Sequence, residues 1–132
     1  MHPRLTYTFF CLFICTGMLS CKEEYKNIDP RAFNNKIKDK ANIRSAEELI
    51  CAYDTTLRNV LHSNAEKLNI VTRTTATGLL EITAIISIFD DDELAGQKII
   101  MTTDHKKNQW RVLEIRYNWK YFEGYGHTDW GI

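Results

Sequence analysis

The sequence lacks an excess of charge of either sign, because 17 lysines and arginines stand against 17 aspartates and glutamates. Without a basic bias nothing marks a nucleic-acid-binding face, and without an acidic tail nothing marks a basic partner. Its 132 residues suffice for one domain and are few for two. The composition therefore favours one small domain that has no nucleic-acid partner.

A long apolar run that could mark a membrane segment is present only at the N-terminus. Arg4 is followed by an apolar stretch of about 15 residues that ends near Ser20. This run is shorter than the ~20 residues that a membrane-spanning helix needs. A positive start, a short apolar run and a small residue are typical of a secretory signal peptide, here predicted over residues 1–20. An uncleaved membrane helix is the alternative.

The apolar run closes with Met18-Leu19-Ser20-Cys21, and charge begins at Lys22. This tetrapeptide resembles the lipobox of bacterial lipoproteins, although that family prefers leucine where Met18 stands. The resemblance implies that the Cys21 thiol carries diacylglycerol and that the chain is cut just before it. Two or three acyl chains anchor stably, since each buried CH₂ contributes about 0.8 kcal/mol. Many lipoproteins that stay in the inner membrane have an aspartate directly after the cysteine, whereas this chain has Lys22. The outer membrane is therefore favoured, with the domain facing either the periplasm or the cell exterior.

Cys51 is the one thiol left after the signal peptide is removed and Cys21 is lipidated, so no internal disulfide is expected. It lies beside the apolar stripe of a predicted helix, where a buried cysteine acts as a small hydrophobe. A catalytic thiol needs a base nearby, but His62 is about three helical turns away. Cys51 is therefore expected to be structural.

The periodicity predicts a tether followed by a domain. Residues 21–44 are polar after the lipidated cysteine and lack sustained periodicity, which predicts a flexible tether that can include a short helical turn. Within the predicted domain, 45–132, Ser45 and Glu48 fit a capping box that opens an amphipathic helix of about 18 residues. Four strands follow, at about 68–76, 79–89, 98–104 and 110–122, with Gly78 in the first turn.

The last predicted strand indicates a sheet that is covered on one side. Strict alternation puts four large side chains on one face: Leu113, Ile115, Tyr117 and Trp119. The other face would be mostly polar: Val112, Glu114, Arg116, Asn118 and Lys120. The expected fold is α+β, with one helix packed across a four-stranded antiparallel meander. This outline resembles cystatin-like folds, including the NTF2-like group, and a fold alone does not determine function.

The C-terminal residues NWKYFEGYGHTDWGI are similar to the C-terminus of small bacterial lipoproteins of unknown activity. Their pattern runs W-x-V, I, N-W-K-C, then G-x-G-H-T-x-W-G and a final cysteine. The chain matches it at Trp110, Val112, Ile115, Asn118, Trp119, Lys120, Gly124, Gly126, His127, Thr128, Trp130 and Gly131. It has Tyr121 where the pattern has its first cysteine, and the sequence stops at Ile132, before the position of the final cysteine. The resemblance implies a disulfide between the two cysteines of the pattern, which would fix the tail to the last strand. Because the chain lacks this disulfide, we expect the tail to be looser or held by aromatic packing.

Five side chains of this tail form the predicted binding surface: Trp119, Tyr121, Tyr125, His127 and Trp130. The alternative is that the aromatic side chains complete the core of a small domain. His127 and Asp129 point apart in an extended chain, which argues against an acid–base pair. The acidic loop 90–93 lacks the spacing and glycine of a calcium loop. We therefore expect no metal and no cofactor.

These observations favour a lipid-anchored envelope protein that binds or inhibits a protein, peptide or glycan without catalysis. The main alternative, an enzyme of the NTF2-like type, needs an aspartate or glutamate buried in a deep cone. Glu81 and Glu114 are the candidates, and strand alternation predicts that Glu114 is solvated. A structural component of an envelope complex is the third possibility, and it would expose a broad apolar patch.

Overall fold

The computed structural model describes residues 22–132, so the predicted signal peptide and Cys21 lie outside the described residues. The elements within this range are β1 (Lys26–Ile28), α1 (Arg31–Ile37), α2 (Ala46–Tyr53), α3 (Leu57–Val60), β2 (Glu66–Thr74), β3 (Leu80–Ile88), β4 (Leu94–Lys106) and β5 (Gln109–Tyr121). Its five strands form one antiparallel sheet in the order β1-β5-β4-β3-β2. The α+β class is confirmed, with one strand more than predicted.

The predicted tether is wrong, because residues 26–37 form a strand and a helix of the domain. β1 pairs with β5, and Ile28 lies opposite Ile115. α1 buries Phe33 and Ile37 against the core. The four-residue spacing of those two side chains puts them on one helical face, a signal that the polar composition of the segment obscured.

The predicted long helix is two shorter ones. Its start is confirmed, since the Ser45 hydroxyl accepts a hydrogen bond from the Glu48 amide at 3.1 Å. α2 ends at Tyr53 because the Asp54 carboxylate accepts hydrogen bonds from the Thr56 amide at 3.0 Å and the Thr56 hydroxyl at 2.6 Å. Such local bonds compete with helical ones. The chain turns there and α3 begins at Leu57.

The core lies between the helices and one face of the sheet, here called the inner face. Its largest fully buried apolar side chains are Leu49, Ile50, Ile82, Met101, Val112 and Ile115. Cys51 is 4% exposed, which confirms its burial, and burial raises the pKa of its thiol. Burial therefore stabilises the uncharged thiol.

A bulge in β5 reverses part of the predicted alternation. The register with β4 shifts between Thr102 and Thr103, so that Val112 points to the inner face and Leu113 is 41% exposed. The prediction of Leu113 as inward and Val112 as outward is wrong, because one extra residue exchanges the faces. The Asn34 side chain donates to the Val112 carbonyl at 2.7 Å and accepts from its amide at 2.8 Å. The Asn34 side chain thereby makes the two backbone hydrogen bonds that a neighbouring strand would otherwise make to Val112.

Candidate functional site

The face of the sheet turned away from the helices, here called the outer face, is covered at its centre. Residues 23–25 and Trp130 lie against it. Lys98 and Ile100 are each 7% exposed and Asn118 is fully buried. The prediction of one wholly wet face is therefore wrong at the centre of the sheet, where the N-terminal segment and the tail meet.

Lys98 is a buried cation with two compensating neighbours. Its Nζ is 2.8 Å from Glu23 Oε2 and 4.5 Å from the centroid of the Trp130 ring. Gly96 makes room for this indole, because a Cβ there would lie 3.1 Å from Trp130 Cη2. A charge is tolerated away from water when it is paired in this way. Lys98 thus fastens both ends of the described chain to β4.

The hydrogen bond from the Tyr25 hydroxyl to the Glu23 carboxylate favours a charged carboxylate and a neutral phenol. Burial alone would raise the pKa of Glu23, but hydrogen bonds from Lys98 and Tyr25 together with the Lys98 charge lower it below 4.5. Burial and the hydrogen bond to the Glu23 carboxylate raise the pKa of Tyr25 to about 12. At neutral pH Glu23 is therefore charged and Tyr25 is neutral.

The two candidate catalytic carboxylates lie on the outer face. Glu81 is 2.8 Å from Arg73 and 3.1 Å from Arg116, which neutralise it. Glu114 is about half-exposed and lies 3.5 Å from Arg116. Neither side chain lines the three main clefts of the described residues, which lie around Trp110, Thr55 and Ile88.

The C-terminal tail folds back along β5. The amides and carbonyls of Trp119 and Gly131 exchange hydrogen bonds of 3.0 and 3.1 Å, and the Tyr121 amide donates to the His127 carbonyl at 2.9 Å. Gly126 packs against the Tyr121 ring so closely that a Cβ would lie 2.3 Å from it. In the structure, backbone pairing and aromatic packing hold the tail.

The predicted binding residues do not form one surface. Trp119, Tyr121 and His127 pack together, with ring centroids 5.3 Å apart for Tyr121 and His127. Trp130 is on the outer face over Lys98, and Tyr125 projects into solvent, 57% exposed. His127 Nδ1 is 2.8 Å from the backbone carbonyl of residue 129 rather than from its carboxylate. Tyr125 is thus the one most available to a partner.

In the acidic loop 90–93, the Asp91 carboxylate bonds to backbone amides of the loop and the start of β4. Asp91 Oδ1 accepts hydrogen bonds from the amides of Glu93 at 2.7 Å and Leu94 at 2.8 Å, which lower the pKa of Asp91. Over the described range, no group of three or more metal-ligating side chains comes together. The arrangement fits a turn that leads into β4.

The structure has a cleft at one end of the sheet that the sequence did not predict. It has a volume of about 640 Å³ and lies between the connection from α1 to α2 and the β4–β5 hairpin. Residues within 34–43 and 107–111 line it, and we call it the basic cleft. The first segment contains three lysines and the second contains Lys107 and Arg111, but only the fold brings these basic residues together. The cleft has the charge and size to hold a small anion.

Comparisons of the chain with protein-family models, curated proteins and solved structures find no match. Among the helices of residues 22–132, none has the length and apolar character needed to cross a membrane.

Proposed function

We propose that this chain is a lipid-anchored protein of the bacterial envelope whose domain binds another molecule without catalysis. The observation that carries the proposal is the apolar run that closes with Leu19-Ser20-Cys21, followed at once by charge at Lys22. Acylation of the Cys21 thiol would hold the protein on a membrane. Lys22 after the cysteine favours the outer membrane.

The place of the first described residues is compatible with this anchor. Glu23 pairs with Lys98, and the Glu24 carbonyl accepts a hydrogen bond from the Asn118 side-chain amide at 3.1 Å. Cys21 is two residues before Glu23, so a lipid there would hold the domain near the bilayer rather than on a long tether. The domain would then meet its partners at the membrane surface.

A binding role is supported by what the domain exposes. Tyr125 and Phe122, 57% and 40% exposed, lie at the turn of the tail, where an aromatic side chain can anchor a protein, peptide or glycan. We also propose that the sheet and helices follow the cystatin-like outline and that the tail is that of small bacterial lipoproteins. An NTF2-like enzyme is the less favoured function, because Glu81 is neutralised by two arginines instead of lying in a deep pocket.

The test is Cys21→Ala, followed by intact-mass measurement and membrane fractionation. We expect wild type to begin at an acylated Cys21 and to fractionate with membranes, and the variant to lose both properties. Cys15→Ala is the matched control, because Ile14 before it makes that cysteine a poor lipidation site, and it should keep the anchor. An unmodified N-terminal cysteine, or persistence of residues 1–20 in wild type, would refute the proposal.

A further inference from the structure

The basic cleft is concave and of a size that accommodates small molecules. Its volume of about 640 Å³ falls within the range of about 300 to 1,000 Å³ that ligand pockets occupy. Ile37 and Ile43, both buried, lie at its base, and the Trp110 indole donates a 3.0 Å hydrogen bond to the Ile43 carbonyl. The two walls are therefore joined to each other before any ligand arrives.

The cleft concentrates positive charge in a chain that is neutral as a whole. Four basic side chains line it, Lys38, Lys40, Lys107 and Arg111, against the single acidic Asp39. None of the four is within ion-pair distance of a carboxylate in the described part of the chain. The nearest acidic candidate on β4, Asp104, pairs instead with Lys106 at 3.1 Å. The cations are thus available to an external anion.

Lys107 is held in a backbone conformation that does not suit lysine. The hairpin turn places Lys107 at φ 51° and Asn108 at φ 60°, and they are the non-glycine residues with positive φ between 22 and 132. Two-residue hairpin turns of this kind prefer asparagine, aspartate or glycine at the first position. Backbone strain of this sort gathers at binding sites. A lysine here is explained if its ammonium group is used in the cleft.

We infer that the basic cleft binds a small ligand that carries two or more phosphate groups. Phosphate fits because a phosphomonoester brings about −1.5 to −2 charges into a small volume, and lysine ammonium groups bind it as point charges. Arg111 adds a planar fork for bidentate contact. The inference rests on the proposed function in that the domain is a binding module, but it does not depend on the lipid at Cys21.

Calorimetric titration of the full chain in nonionic detergent, with inorganic tripolyphosphate as the probe at low ionic strength, tests the site. Lys107→Asn should weaken binding by about tenfold or more. It should leave the melting temperature unchanged or raise it, because asparagine suits the turn. Lys67→Asn, which removes an exposed lysine on β2, is the control and should bind as wild type does.

A second variant separates charge from turn geometry. Lys38→Gln combined with Lys40→Gln leaves the hairpin intact and should weaken binding at least as much as Lys107→Asn. The inference is overturned if wild type does not bind tripolyphosphate at millimolar concentration. It is also overturned if the cleft variants bind as the Lys67→Asn control does. Cys21→Ala should not change the titration, so failure here is distinct from failure of the anchor.

Vesicles distinguish the source of the phosphate. The Cys21→Ala chain is mixed with phosphatidylcholine vesicles that lack or contain cardiolipin, a lipid whose headgroup carries two phosphates. If Lys107→Asn weakens tripolyphosphate binding and the chain does not bind vesicles, the natural ligand is a soluble phosphate compound. Binding to the anionic vesicles that Lys107→Asn abolishes identifies a lipid headgroup at the same site. Vesicle binding that the cleft variants leave unchanged, without tripolyphosphate binding, contradicts the inference.

Discussion

At the scale of single residues, Asn34 supports one wall of the basic cleft. Its side-chain amide makes both hydrogen bonds to the buried Val112 backbone at the bulge. We expect Asn34→Ala to lower the free energy of unfolding by about 2 to 4 kcal/mol, because a buried amide and carbonyl lose their partners. Urea denaturation measures this.

The adjacent Asn35 provides the matched control. It lies exposed on the same helix, so Asn35→Ala makes the same change in helix propensity without touching Val112. Its effect should stay within about 0.5 kcal/mol. Equal effects of the two substitutions would mean that the Asn34 contacts do not stabilise the bulge.

Glu23 gives the stability a dependence on acid pH. The pKa of Glu23 is lowered in the folded state, so its stabilisation is present above its usual value of 4.5 and is lost as pH falls through the folded-state pKa. Glu23→Gln should therefore destabilise near pH 7 by up to about 1 kcal/mol, since the side chain is partly solvated. The difference from wild type should shrink as the pH falls below 4.5 and through the lowered folded-state pKa.

Urea denaturation across this pH range measures the effect, with Glu24→Gln as the control. The Glu24 side chain is exposed, and only its backbone carbonyl accepts the bond from Asn118. Its substitution should leave the pH dependence unchanged. A constant difference between wild type and Glu23→Gln at all pH values would contradict the role of the Glu23 charge.

At the scale of elements, long and strongly patterned segments were predictable and short ones were not. β2, β3 and β5 lie close to their predicted ranges, because alternation over nine or more residues is a clear signal. β1 has only three residues, too few to show a period, and forms because β5 offers it an edge. The break at Asp54 and the bulge before Ile115 depend on single local contacts that periodicity does not report.

The basic cleft could not be predicted for a related reason. Its two walls, 34–43 and 107–111, are about 70 residues apart in sequence and meet only because β5 pairs with β1 and Asn34 docks on Val112. The aromatic tail was recognisable from composition, but which side chains pack and which remain exposed follows from its pairing with Trp119. Local patterns therefore indicate elements, and long-range packing determines sites.

At the scale of the whole molecule, the first described residues and the basic cleft lie at different positions along β5. Glu24 is bonded to Asn118 near the end of β5, and Gln109 begins that strand beside the cleft. Nine residues separate the two positions, which corresponds to about 30 Å along an extended strand. If Cys21 is acylated, the cleft should point away from the bilayer.

Fluorescent labels test this orientation in the acylated protein reconstituted into vesicles. A label at Glu24→Cys should be quenched by a quencher attached to lipid headgroups, and a label at Gln109→Cys should not, because of the distance along β5. Cys51 does not compete for the label, since it is buried and its thiol pKa is raised. Equal quenching at both positions would mean that the domain lies flat on the membrane, and the cleft would then face lipid headgroups instead of the surrounding solution.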